Sequence, residues 1–219
     1  MGEDRVAAAR QLLIDCGQDP DQLDDAELVV RAEQVTAAVR RFEAAGGGIA
    51  AVLDEHLAAE FQQHDADQTM VTMAPDPYLN HVPVMTGGAG REQVHRFYRD
   101  HWIPAWPPEV EVTPVSRTVG EQRVVDELVV SFTHDRPMDF MLPGIEPTGR
   151  PVSLPHTVVV GFEQEKVAYE HIYWDQASLL VQVGLLDPQG LPVTGAEQAE
   201  ALLTRRPNNE LMSRAGIEP

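Results

Sequence analysis

The chain has 219 residues, 43% hydrophobic and 23% charged, which are proportions of a folded globular protein and exclude wholesale disorder. With 16 Lys and Arg against 35 Asp and Glu, the formal charge of -19 excludes a surface built for nucleic acid or anionic membrane. The single cysteine, Cys16, excludes a disulfide framework and a cysteine zinc site. No apolar run reaches the length of a membrane span, and the acidic start is unlike a secretory signal, so the expected location is the cytoplasm.

Residues 1–46 read as an appended helical arm. Ala7, Leu12, Leu13 and Ile14 form a short amphipathic stretch that Gly17, Asp19 and Pro20 break. A second helix starts near Asp24 or Asp25, with Asp25 as the expected N-cap, and repeats apolar residues at Leu28, Val29, Ala32, Val35 and Val39. Arg40, Arg41 and the triple glycine 46–48 end it. The main domain, residues 47–192, opens with a helix from Ile49 to Gln68, whose His56 and His64 are placed on its surface. Pro75 and Pro77 lead into an extended segment, Tyr78 to Val84, and a short helix spans Glu92 to Trp102. Strand periodicity follows: one strand around Val110, Val112 and Val115, then Arg123 to His134, Val152 to Phe162 and Val167 to Trp174. The apolar stretch from Met138 to Gly149 is too long for a tight hairpin. A helix from Gln176 to Gly184 closes this domain, and residues 193–219 hold a further short helix and a polar tail. Helices ahead of a run of mostly antiparallel strands define an α+β class, with helices on one face of a curved sheet.

The common nucleotide, hydrolase and zinc-peptidase motifs are all missing. Gly87, Gly88 and Gly90 lack a lysine and a preceding apolar strand, so they read as a plain turn rather than a phosphate loop. On the last strand, Tyr169, His171, Tyr173 and Asp175 share one face, and Glu170, Ile172 and Trp174 the other. Imidazole, phenol and carboxylate on a single face suit a polar-lined pocket; the alternative is an edge strand facing water. On the long strand, Asp126 and His134 either bracket a cavity or mark a solvated terminus, and the apolar middle of both faces suggests a strand covered on both sides. The eight histidines fall in no metal-ligand spacing, so acid/base work suits them better than a metal site.

Five stretches carry a family resemblance: Asp76 to Pro83, Phe97 to His101, Val125 to His134, Met141 to Gly149, and Glu170 to Gln176 continuing to Pro188. In order and spacing they resemble the SnoaL-like polyketide cyclase branch of the nuclear-transport-factor-2-like superfamily. Within it, the domain associated with dienelactone-hydrolase-like (carboxymethylenebutenolidase) proteins is the nearest match. The resemblance implies a cone-shaped α+β barrel around a cavity closed by N-terminal helices, and a homodimer. It also implies a cofactor-independent cyclase, isomerase or lyase acting on a small hydrophobic carbonyl or polyketide-like molecule, with no metal. By motif, Asp175 corresponds to the general base and His81 to a residue near the cavity mouth. His134 and His171 sit in matching strand motifs and complete the expected catalytic set. Tyr78, Trp102, Phe140, Met141 and Tyr173 are the expected substrate contacts, with Met70, Met73, Trp106 and Leu142 as further apolar wall and lid; the alternative for the Met, Trp, Phe and Leu residues among them is ordinary core.

Because one fold serves many reactions, a second function class stays open: a non-catalytic module that binds a small ligand or acts as a dimerisation or accessory unit. A carboxylate at the cavity floor separates the two, since a binder of apolar molecules needs none.

Overall fold

A computed structural model describes residues 3–15, 24–30, 32–33, 48–206 and 208–218, in two units, Met1–Gly48 and Ile49–Pro219. In the first unit, helix α1 (Glu3–Asp15) and helix α2 (25–30 and 32–33) bury Ala9, Val29 and Ala32 with Val6. The N-cap is Asp24, not Asp25. Its carboxylate accepts from the amides of Ala26 and Glu27, both at 2.9 Å, while Glu27 accepts from the Asp24 amide at 3.0 Å. This reciprocal pairing is a capping box, which the spacing Asp24-x-x-Glu27 encodes. The expectations on Gly17, Asp19, Pro20, Val35, Val39, Arg40, Arg41, Gly46 and Gly47 lie outside the described residues, as do the side chains of Leu12, Leu13 and Ile14.

The second unit is α+β, a curved six-stranded sheet, not closed, with helices packed on it. Its opening helix is shorter than the apolar pattern suggests. Helix α3 (Gly48–Ala58) runs into a π-helical turn (Ala59–Gln63) and stops at His64, which adopts a left-handed conformation. Asp65 then caps a separate helix, α4 (Ala66–Thr72), by accepting from the amides of Asp67 and Gln68. Strands β1 (Met73–His81) and β2 (Thr86–Ala89) form an antiparallel pair, followed by helix α5 (Arg91–Phe97) and a second π-helical turn (Tyr98–Trp102). Four antiparallel strands follow: β3 (Glu111–Val119), β4 (Arg123–Thr133), β5 (Pro151–Glu163) and β6 (Lys166–Trp174). Helices α6 (Gln176–Gln182), α7 (Glu197–Thr204) and α8 (Glu210–Arg214) complete the chain. The spatial order is β2-β1-β6-β5-β4-β3, with β1 parallel to β6. Thus β5 and β6 are the central pair and β4 lies one strand from the edge. No helix among the described residues is long and apolar enough to cross a membrane.

The glycine-rich segment is an edge strand rather than a turn. Gly87 pairs with Asn80 at a φ of 140°, and a Cβ there would lie 2.1 Å from the Leu79 carbonyl oxygen. Because backbone rather than a mobile side chain blocks that space, Gly87→Ala is expected to lower unfolding free energy by at least about 2 kcal/mol in urea titrations.

Strand register decides which side chains reach the helix-covered face. Val160 pairs with Glu170 and with Val124, and Glu170 pairs in turn with Leu79. One row over, Asp126, Val158, Ile172 and His81 stand in line. Along β6, Val167, Glu170, Ile172 and Trp174 are buried, whereas Tyr173 is 41% exposed. The inner face is therefore the one bearing Glu170. The segment Met138–Leu142 packs inward too, burying Met138, Phe140, Met141 and Leu142.

Candidate active site

Between the inner sheet face and α3 lies a cavity of about 470 Å³, within the range of small-molecule sites. Its wall is mainly apolar, with Phe61, Leu79, Trp102, Trp106, Val130 and Ile172 among the lining residues. Into this wall are set Glu60, His81, Tyr98, His156 and Glu170, all buried. The exposed lining residues Asp54, Gln62, Val112, Pro114 and Arg117 come from α3, its π-helical turn and β3, and mark the mouth.

Behind Glu60 and Glu170 sits His56, fully buried on the inward face of α3. His56 and Glu60 are four residues apart, so one helical face carries both. The His56 Nε2 lies 3.1 Å from Glu60 Oε1 and 3.5 Å from Glu170 Oε2, and 3.3 Å from the Tyr98 hydroxyl. Tyr98 donates a short hydrogen bond to Glu170. The far side of the ring fixes its protonation. Thr72 Oγ1 gives its only proton to the Thr69 carbonyl at 2.7 Å, so at 2.7 Å from His56 Nδ1 it must accept. Nδ1 therefore carries a proton, and a second proton on Nε2 makes the ring a cation facing two carboxylates.

The charges follow from this arrangement. Burial opposes a positive His56, but Glu170 and Glu60 overcome it and raise the imidazole to about 10. Burial would also raise Glu170, yet the His56 charge and the hydrogen bonds from His56 and Tyr98 hold it below the usual carboxylate range. Burial pushes the Glu60 carboxyl up, against the lowering effect of the His56 charge 3.1 Å away. The Tyr98 phenol is pushed well up by burial and by the two carboxylates. Near neutrality the cavity thus meets an ionised Glu170, a Glu60 with raised proton affinity, and a neutral Tyr98.

Two further imidazoles are held neutral. Burial lowers His81 and His156 to about 4 each. His81 Nδ1 faces the Thr86 carbonyl at 3.3 Å and His156 Nδ1 the Leu154 carbonyl at 2.9 Å, so both present Nε2 as an acceptor. His81 Nε2 and Trp106 Nε1 are buried with no hydrogen-bond partner among the described residues. Trp102 Nε1 lies near enough to favour an ionised Glu60 but completes no hydrogen bond either. In the unfolded chain these histidines protonate below about 6.5, so their folded neutrality stabilises above 6.5 and is lost as pH falls toward 4. The expected result is a drop in urea midpoint between pH 6.5 and 4 that is shallower in His156→Gln than in the parent.

The structure divides the sequence-derived candidates. His81 and Trp102 line the cavity. Phe140 backs it, with its ring centroid 4.7 Å from Trp102 and 5.0 Å from Trp106, and Met141 is core, its carbonyl accepting from Gln176. Asp175 is not at the cavity. It is exposed and caps α6, accepting from the amides of Ala177 and Ser178 and from the Gln198 side chain. Tyr169, His171 and Tyr173 belong to the outer face, because the strand's apolar Ile172 and Trp174 claim the inner one. There His171 stacks on Tyr169 at 4.7 Å and meets the edge of Tyr78, itself 43% exposed. His134 is buried but bonds Thr148 at 3.1 Å, away from the lining residues. Asp126 faces inward and is held by Arg117 rather than bracketing the cavity with His134. His56, expected on the surface of its helix, is fully buried, and it, Glu60 and Glu170 are site residues outside the expected catalytic set. His56, Glu60 and Glu170 also bring one nitrogen and two carboxylate oxygens within 4.8 Å of one another, the set among the described residues able to hold a metal ion.

An open curved sheet, α3 and α5 on its inner face, and a sheltered cavity between them define an α+β cone of the nuclear-transport-factor-2-like kind. The chain belongs to the SnoaL-like domain family, which matches residues 53–170. Among solved structures it is similar to TsrD of Streptomyces laurentii, at 18% identity and a TM-score of 0.52 over 64% of this chain and 97% of that one. AclR of Streptomyces galilaeus, classed as a hydroxylase, is similar at 22% identity and a TM-score of 0.50, covering 64% and 97%. A protein of Jannaschia sp. CCS1 classed as a SnoaL-like polyketide cyclase is similar at 18% identity and 0.50, covering 65% and 96%. At these identities the likeness is one of fold. No curated protein is detectably similar in sequence.

Proposed function

We propose that this protein is an acid/base enzyme of cyclase, isomerase or lyase type, acting on a small hydrophobic carbonyl compound without an added cofactor. The observation that carries this reading is the pair of buried carboxylates, Glu60 and Glu170, lining a mostly apolar cavity around the buried His56. Burying two carboxylates costs several kcal/mol even with a partner, a cost that a site built only to hold an apolar ligand has no need to bear. That argues against the accessory-module alternative.

In this mechanism Glu60, not Asp175, takes the proton from a carbon next to the substrate carbonyl. Its raised pKa makes it a stronger base than an exposed carboxylate and a competent acid when it returns the proton. His56 stays protonated and Glu170 stays ionised, so the pair sets the local field while Glu60 changes charge. Trp102 and Trp106 both belong to the lining, and a shift of either indole would bring its buried, unpartnered N–H to a developing enolate oxygen. 2-Tetralone tests the reaction class, because its C1 protons are acidified by the carbonyl and exchange in deuterium oxide is read by proton NMR. Saturable, protein-dependent acceleration of that exchange is expected; a rate equal to the buffer rate at every protein concentration contradicts the proposal.

A further inference from the structure

The cavity is polarised from end to end. Its buried end carries Glu60 and Glu170, and the single Lys or Arg among its lining residues is Arg117, at the mouth. Arg117 is held from two sides. Asp126, whose side chain is only 11% exposed, takes Nε and one terminal nitrogen, both at 2.7 Å. Asp54, 66% exposed on α3, takes the other terminal nitrogen at 2.6 Å. Asp126 alone neutralises the guanidinium in a buried, two-point contact. Asp54 is a second carboxylate on a cation already balanced, and an exposed ion pair of this kind is weak. Of the five guanidinium N–H groups three are engaged, which leaves one on each terminal nitrogen without a partner among the described residues. A carboxylate that replaces Asp54 takes the Nη1 donor and reaches the free donor on the neighbouring Nη2, a two-point contact.

We propose that Arg117 is the anchor for a substrate carboxylate, and that Asp54 occupies this seat until substrate displaces it. The substrate class is then an amphiphilic oxo acid: an apolar body carrying the reacting carbonyl inside the cavity, and a carboxylate left at the mouth. Orientation follows from the donors, because the inner end presents the carboxylates of Glu60 and Glu170 whereas the mouth presents the guanidinium of Arg117. Asp126 takes Nε and Nη2 whereas Asp54 takes Nη1, so the Asp126 contact persists when Asp54 gives way. This inference rests on the cavity being the substrate site.

The test compares 2-naphthylacetate with its methyl ester by ligand-observed NMR titration, since the two share a body and differ in the charge. The parent protein is expected to bind the acid roughly tenfold more tightly than the ester, the gain of one charge-assisted contact. Arg117→Gln is expected to bind the two equally. Asp54→Asn leaves the Arg117–Asp126 pair intact and is expected to bind the acid several-fold more tightly with the ester unchanged. That variant keeps the test decisive if Arg117→Gln fails to fold. Equal affinities for acid and ester in the parent, or an unchanged acid affinity in Asp54→Asn, overturn the assignment of Arg117 while leaving the cavity as the site. Failure of both compounds to bind overturns the cavity reading with it.

Discussion

Replacing His56 by leucine is expected to destabilise the fold by about 3–5 kcal/mol, the loss typical of removing one partner from a buried ion pair. Glu60 and Glu170 are left facing each other in an apolar wall, and Thr72 loses the donor on its hydroxyl. Urea unfolding at pH 7 measures the loss. Adding Glu60→Gln and Glu170→Gln to His56→Leu is expected to recover most of it, since no buried charge then remains. The pH dependence has a defined sign. His56 is raised from 6.5 to about 10 on folding, so its stabilisation is complete below 6.5 and disappears as pH climbs through 10. Glu170 is lowered, so its share is present above the ordinary carboxylate value of 4.5 and is lost in acid as pH falls through its folded value. Stability of the parent is expected to decline from about pH 7 to 10, with a flat profile over that range in His56→Leu.

Glu60→Gln is expected to reduce the rate of tetralone exchange by at least about 100-fold, the usual contribution of a positioned general base. The glutamine keeps the shape of the side chain and removes a buried group of raised proton affinity, so unfolding free energy is expected to stay level or rise. The parent's pH-rate profile separates this from a structural effect. Activity is expected to rise with pH as Glu60 loses its proton, above the range of exposed carboxylates, and to fall again toward pH 10 as His56 becomes neutral and its field vanishes. A profile flat across that span removes both residues from the proposed step.

The α+β class, strands β4, β5 and β6, and helices α5, α6 and α7 are legible in the sequence because their apolar periodicities are uninterrupted. Three features are not, for physical reasons. The helix from Ile49 looks continuous to Gln68, but a π-helical turn and the left-handed His64 end it, and neither changes hydropathy. The strand β2 is hidden by its glycines, which the close approach to Leu79 requires. The site was missed through a choice of face. On β6 the aromatic and polar residues at 169, 171 and 173 attract attention, yet a strand turns its Ile172 and Trp174 inward, and Glu170 shares their parity. Likewise, Ile49, Leu53, His56 and Glu60 form the inward stripe of α3, so His56 and Glu60 stand at core positions of an otherwise apolar face. A polar residue on a core stripe is the signal that finds this site. Ring chemistry on an outer face is not. Asp175 illustrates the opposite error, since an Asp directly before a helix is first an N-cap, and here it serves as one.

The central claim is that the reacting proton passes through Glu60 inside the cone and not through Asp175 at the end of β6. Tetralone exchange measured side by side in Glu60→Gln and Asp175→Asn tests it most directly, because both changes replace a carboxylate with its amide and asparagine still caps a helix well. The expected result is loss of exchange in Glu60→Gln and parental exchange in Asp175→Asn. Parental exchange in Glu60→Gln, with loss in Asp175→Asn, would contradict the assignment.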